Sequence, residues 1–175
     1  MRIIAGQYRH RLLDFPRHNS ALRPTKDMVR EALFSIIGAR IVGARFLDLY
    51  AGTGALGLEA ISRGAREAVF IDQDLQYARA NVQKIGCRNA RLYRNDARRA
   101  LRILQTKQEA FDIIFLDPPY QDGLLAVSAC FAILRPAGLL IAETADEAAR
   151  LPPDARIADE RRYGSTKILF LERQT

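Results

Sequence analysis

Cysteine and histidine are nearly absent: Cys87, Cys130, His10 and His18 are the whole supply. Their spacing matches no metal-ligand pattern, so nothing points to a zinc or haem site. The two cysteines lie in apolar or helical contexts and read as reduced packing residues, not a disulfide framework. No apolar run approaches the roughly 20 residues that a bilayer-spanning helix needs. Charged residues follow Met1-Arg2-Ile3-Ile4-Ala5-Gly6 within a few positions, and neither the long apolar stretch nor the cleavage site of a secretory signal is present. No amphipathic membrane anchor, internal repeat or low-complexity segment is evident. These absences predict a cytoplasmic protein without a membrane partner.

What remains is a chain of 175 residues, 49% hydrophobic and 27% charged, a size and balance suited to one domain with a real core. The net charge is +7 and the isoelectric point about 9.8, a surplus that favours a polyanionic partner. The charge is clustered. Arg2, Arg9, Arg11, Arg17, Arg23, Lys26 and Arg30 face only Asp14 and Asp27 in the first 30 residues, and Arg88, Arg91, Arg94, Arg98, Arg99 and Arg102 form a second group. RNA or DNA therefore fits better than a membrane surface.

Residues 1–22 read as a basic hairpin appendage, with short extended pieces at Arg2 to Gly6 and Arg11 to Phe15. Residues 23–175 read as the main domain. A helix is expected from Thr25, which caps it, with Met28, Val29, Ala32, Leu33, Ile36 and Ile37 at helical spacing and a stop at Gly38. Strands at 45–50, 67–71, 90–93, 111–116 and 138–142 then alternate with helices at 55–63, 75–85, 97–105 and 124–134. Runs such as Ile113-Ile114-Phe115-Leu116 suit strands buried on both faces, which implies a parallel sheet with helices on both sides. The tail, 155–162 and 167–172 around Tyr163-Gly164-Ser165-Thr166, reads as a closing antiparallel hairpin.

The first strand runs into Asp48-Leu49-Tyr50-Ala51-Gly52-Thr53-Gly54-Ala55-Leu56-Gly57, in which Gly52, Gly54 and Gly57 satisfy the G-x-G-x-x-G pattern of a nucleotide-cofactor turn. Asp48, four residues before Gly52, suits the ammonium and sulfonium charges of S-adenosylmethionine better than a pyrophosphate. Asp72 ends the next strand at about the spacing of an acid that accepts from ribose hydroxyls. Asp96, followed by Ala97, ends the third, where its carboxylate either takes a hydrogen bond from an adenine amine or caps the following helix.

Leu116-Asp117-Pro118-Pro119-Tyr120 ends the fourth strand. Two prolines stiffen the turn and contribute no amide donors, leaving carbonyl acceptors beside the Asp117 carboxylate. An exocyclic base amine is a weak nucleophile. Acceptors from Asp117 and the Pro118 carbonyl would hold it and stabilise the positive charge that develops on nitrogen. Tyr120 offers a stacking face for an extruded base. From these residues alone the reading stops at transfer of a methyl group to the amine of a base or, less naturally, of a protein side chain.

These motifs, with Arg2-Ile3-Ile4-Ala5-Gly6, Arg23-Pro24-Thr25, Val29-Arg30-Glu31-Ala32-Leu33-Phe34 and the Tyr163 to Thr166 string, resemble the bacterial methyltransferases that modify the N2 amine of guanine-966 in 16S ribosomal RNA. The resemblance spans nearly the whole chain. It implies a Rossmann-like class I methyltransferase fold with a seven-stranded, mostly parallel sheet, S-adenosylmethionine as cofactor, and an assembled or partly assembled small ribosomal subunit as substrate. It also implies cofactor contacts from Asp48, Tyr50, Ala51, Gly52, Thr53, Gly54, Gly57, Asp72, Asp96 and Ala97, catalysis by Asp117, Pro118, Pro119 and Tyr120, and RNA contacts from Arg9, Arg11, Arg23, Thr25, Lys26 and Arg30. This chain departs from the family's usual residues at His10 (glycine), Met28 (arginine), Tyr50 (phenylalanine), Thr53 (serine) and Asp72 (glutamate). The competing readings are an adenine-N6 methyltransferase, a glutamine methyltransferase and a non-catalytic RNA-binding protein on the same fold. A monomer is the default.

Overall fold

The computed structural model describes residues 1–16, 25–118, 126–144, 151–164 and 166–174, with the backbone alone for Thr25 and Lys26. Among the described residues, seven strands form one sheet in the order β3-β2-β1-β4-β5-β7-β6. Their ranges are β1 Arg45–Leu49, β2 Glu67–Asp72, β3 Ala90–Arg94, β4 Phe111–Leu116, β5 Leu134–Thr144, β6 Ala155–Tyr163 and β7 Thr166–Arg173. The strands from β3 across to β5 pair in parallel, and β7 and β6 close the sheet antiparallel. The helices are α1 Thr25–Ile37, α2 Ala55–Ser62, α3 Gln76–Ile85, α4 Ala97–Thr106 and α5 Val127–Ala132. This is the Rossmann-like class I architecture that the alternating pattern and the resemblance predict.

Alternation along each strand builds two cores. Phe46, Phe70, Ile113, Phe115 and Ile141 point to one face, where α1, α2 and α3 pack, and Leu47, Leu49, Val69, Ile71, Ile114 and Leu116 point to the other, under α4 and α5. The chain winds outward from β1 to β3, then crosses back to β4. The reversal leaves a crevice between the carboxyl ends of β1 and β4, the place where open parallel sheets bind ligands.

The described part of the N-terminal segment forms a minimal hairpin with an antiparallel bridge from Arg2 to Leu12. It is held as part of the first core: Ile3 and Leu13 are buried among α1 and α2 side chains. Gly6 explains the close approach. At its left-handed φ of 82°, a Cβ would sit 1.7 Å from the Ser62 carbonyl oxygen. His10 also has a positive φ, 69°, the conformation that the family's usual glycine would adopt without strain.

Three expectations need correcting in detail. Met28, placed on the apolar stripe of α1, is 68% exposed, and the buried face is Arg30, Leu33, Phe34 and Ile37. β5 begins at Leu134, four residues early, because Phe111 pairs with Leu134 while Ile113 already pairs with Leu139, so Arg135 to Gly138 bulge out of the ladder. That early start also shortens α5, expected to run to Leu134, which ends at Ala132.

Candidate active site

The glycine turn after β1 is locked by its own backbone and by two acids. The Ala51 amide donates to the Ile71 carbonyl (3.1 Å) and the Gly54 amide to the Ala51 carbonyl (2.7 Å). Asp48 is buried, and its Oδ2 accepts from the Gly57 amide at 2.9 Å, tying the strand end to the first turn of α2. Asp72 Oδ2 accepts from the Gly52 amide at 2.8 Å, and its Oδ1 from the Asp74 amide at 3.0 Å. A Cβ on Gly57 would meet the Phe70 ring at 2.3 Å, so this glycine permits helix–strand contact. Gly52 differs: a Cβ there would meet nothing within 4 Å, leaving open space above the turn. Tyr50, at the corner, holds a positive φ of 63°, a strained conformation of the kind that collects at functional sites.

Three carboxylates converge on this edge. Burial pushes the Asp48 carboxyl up to about 7, and the charges of Asp117 and Asp72 push it the same way, against the Gly57 hydrogen bond. Such a group is relieved by a cation placed beside it. A cofactor that brings an ammonium and a sulfonium into the open space over Gly52 meets that requirement, so the residues present fit S-adenosylmethionine. A pyrophosphate would add to the repulsion.

Asp96 takes the capping role: its Oδ1 accepts from the Arg99 amide at 3.0 Å at the start of α4, with Gln73 Nε2 at 3.5 Å from its Oδ2. Ala97, the first residue of that helix, is buried. Thr53 is half-buried, and its carbonyl accepts from Asn81 Nδ2 at 2.9 Å. Asp117 is exposed and Pro118 half-buried at the end of β4. Pro119 and Tyr120 lie outside the described residues.

Among the expected RNA contacts, Arg9 and Arg11 are exposed on the hairpin. Arg23 lies outside the described residues, as do the side chains of Thr25 and Lys26. Arg30 is placed differently from the expectation. It is 4% exposed, and its guanidinium donates to the Arg2 carbonyl and to Asp27 Oδ1 (3.1 Å), 3.7 Å from the fully buried Glu59. A cation so enclosed holds the hairpin to α1 and does not reach a phosphate.

Reading from sequence missed the residues that fasten the hairpin to the cofactor turn. Glu59 accepts from the Ile4 and Ala5 amides (2.8 and 3.0 Å). Asn81, also fully buried, accepts from the Asp14 amide (2.7 Å) and donates to the Asp14 and Thr53 carbonyls. The available signal was a polar residue on the inward face of a helix, but partners 55 and 67 positions away leave no local trace.

The family model described as conserved hypothetical protein 95 matches residues 1–172. The "Putative rRNA methyltransferase YlbH" of Bacillus subtilis is 36% identical over 99% of this chain and 100% of its own length. The "Ribosomal RNA small subunit methyltransferase D" of Escherichia coli K12 is 42% identical over 71% of this chain and 63% of that protein. A solved structure, "Putative methyltransferase yhhF from Escherichia coli", superposes with a TM-score of 0.87 at 34% identity, covering 99% of this chain and 98% of the other. With this fold, this turn and these relatives, the chain belongs to the conserved hypothetical protein 95 family, the family of the ribosomal RNA small subunit methyltransferases D.

Proposed function

We propose that this protein transfers a methyl group from S-adenosylmethionine to an exocyclic base amine of 16S ribosomal RNA, the N2 amine of a guanine, in an assembled or partly assembled small subunit. The observation that carries the reading is the meeting of Asp48, Asp72 and Asp117 at the carboxyl ends of β1, β2 and β4, beside a glycine turn left open at Gly52. The names borne by its relatives support the ribosomal substrate.

The bound cofactor supplies an electrophilic methyl group on a sulfonium. Asp48 keeps the turn closed through Gly57 and faces the cofactor's positive charge. Asp72 accepts from the ribose hydroxyls with lone pairs that the Gly52 and Asp74 amides leave over. Asp96 retains Oδ2 toward the adenine amine while Oδ1 caps α4. Asp117 accepts one N–H of the target amine and the Pro118 carbonyl the other, orienting the nitrogen lone pair and stabilising the positive charge that grows on it. Tyr120 stacks on the extruded base. Arg9 and Arg11 on the hairpin, with Arg23, Thr25 and Lys26 after it, hold the RNA. The enzyme acts as a monomer.

The experiment is transfer of labelled methyl from S-adenosylmethionine to four substrates: small subunits lacking the modification, naked 16S RNA, duplex DNA and total cell protein. Label in subunits or 16S RNA is expected. Label only in DNA or protein overturns the substrate, and label in none overturns the activity.

A further inference from the structure

The positive charge of this chain is concentrated at one edge of the sheet. Between residues 75 and 107 there are nine arginines and lysines and one carboxylate, Asp96, a surplus of eight where the whole chain nets +7. These residues make up α3, β3 and α4, and β3 is the terminal strand. The fold sorts them further. Arg91 and Tyr93 stand opposite Val69 and Ile71, on the face of the sheet that α4 covers. α4 buries Ala97, Ala100, Leu101 and Leu104 and turns Arg98, Arg99 and Arg102 outward. The N-terminal hairpin lies on the opposite face, against α2 and α3.

This surface is not saturated by its own protein. Arg91 pairs with Glu67, and Arg94 donates to the Gln73 carbonyl at 2.8 Å. Arg99 and Arg102 are exposed and pair with no carboxylate among the described residues. Two apolar side chains lie among these cations, Tyr93 at 49% exposure and Ile103 at 38%. Exposed arginines without a carboxylate partner, on the same edge as an exposed aromatic ring that Arg91 contacts, suit a nucleic-acid strand, with guanidinium groups on the phosphates and a flat face for an unstacked base. The position adds direction. α4 starts at Asp96 on the carboxyl edge, so Arg98 and Arg99 lie within its first turn from the cofactor crevice and Arg102 one turn further on.

We propose that the β3–α4 edge is a second RNA-binding surface, which grips the phosphate backbone on the face of the sheet opposite the hairpin. RNA flanking the target base is then held from both sides of the crevice. The inference rests on the proposed RNA substrate and deepens it.

The test is RNA binding by the full-length protein across a salt series, with 16S RNA transcript and purified small subunits as probes. The double variant Arg99→Ala/Arg102→Ala is compared with wild type and with Arg99→Lys/Arg102→Lys, with cofactor affinity by calorimetry as the control. Each lost phosphate contact should lower the slope of log K against log salt by about 0.7–0.9, so the alanine pair should lose about 1.4–1.8 and the lysine pair should recover it. An unchanged slope and affinity on naked RNA would overturn the proposal. A loss seen on subunits but not on naked RNA would also overturn it, assigning the surface to an acidic protein. Absence of methyl transfer from wild type to any RNA, with the arginine-dependent slope intact, would instead remove the proposed activity and leave the surface standing.

Discussion

The most exacting consequence of the site concerns Asp48. Its carboxyl is raised to about 7, by burial first and by Asp117 and Asp72 after that. The cofactor's positive charge favours the ionised form, so binding must drive off the proton that the free protein holds below that pH. At about pH 5 roughly 1% of the free protein carries an ionised Asp48, against about half at pH 7. Cofactor affinity should therefore fall about 50-fold between those pH values, about 2.3 kcal/mol, approaching tenfold per unit. Calorimetry in two buffers of different ionisation enthalpy would read both the affinity and the proton released. Asp48→Asn should abolish the dependence, since its carbonyl still accepts from Gly57 but nothing titrates. The same variant reports on the unliganded fold. A carboxyl whose folded pKa exceeds its unfolded value of 3.8 costs stability as pH rises from about 4 to about 7, and above that the penalty is complete. The asparagine variant should thus gain on wild type across that window, by at most about 4 kcal/mol, in thermal denaturation without cofactor. A cofactor affinity that stays flat over this range would refute the argument.

Other substitutions separate holding from chemistry. Asp117→Ala should reduce methyl transfer by about a hundredfold or more while leaving cofactor affinity nearly intact, if the Asp117 carboxylate acts on the amine as proposed. Equal loss of both would make it a pocket residue. Asn81→Ala leaves the Asp14 amide and carbonyl and the Thr53 carbonyl without their partner, at a cost of about 1–3 kcal/mol for the half-buried Thr53 carbonyl and less for the exposed Asp14 groups, so the melting temperature should fall and cofactor affinity with it. Loss of stability with unchanged affinity would uncouple the hairpin from the turn. Glu59→Gln strips the charge that faces Arg30 and Arg63, and breaking such a buried pair costs about 3–5 kcal/mol. A change under about 1 kcal/mol in chemical denaturation would show that Asp27 alone compensates Arg30.

The framework of the fold was legible because the central strands β1, β2 and β4 are short and mostly apolar, and turn formers bound them: Gly43 and Gly52 around β1, Gly64 before β2 and Pro118 after β4. β4, at Phe111–Leu116, coincides with its expected range, and the C-terminal hairpin around Gly164 stands where its turn residues place it. The convergence of three carboxylates on one edge was legible for a related reason. Asp48 and Asp72 stand at the carboxyl ends of β1 and β2 and Asp117 directly after β4, and parallel strands bring their carboxyl ends to one edge. Asp48 needed the structure to show that its carboxylate also closes the turn on Gly57. Arg30 was misread because charge in sequence carries no sign of burial. Its partners come from α1, the hairpin and α2, and only the packed core brings them together. Asn81 and Glu59 were missed on the same grounds. Met28 was misplaced because the inward stripe of α1 includes Arg30, which periodicity of apolar residues alone does not register.

The central claim is that the carboxyl edge of this sheet methylates a guanine amine in ribosomal RNA. The most direct measurement is the identity of the methylated nucleoside, by mass spectrometry of nuclease-digested small subunits that began without the modification and were incubated with S-adenosylmethionine and either wild type or Asp117→Ala. N2-methylguanosine formed by wild type and missing with the variant is the predicted result. N6-methyladenosine, or no methylated nucleoside with wild type, would contradict it.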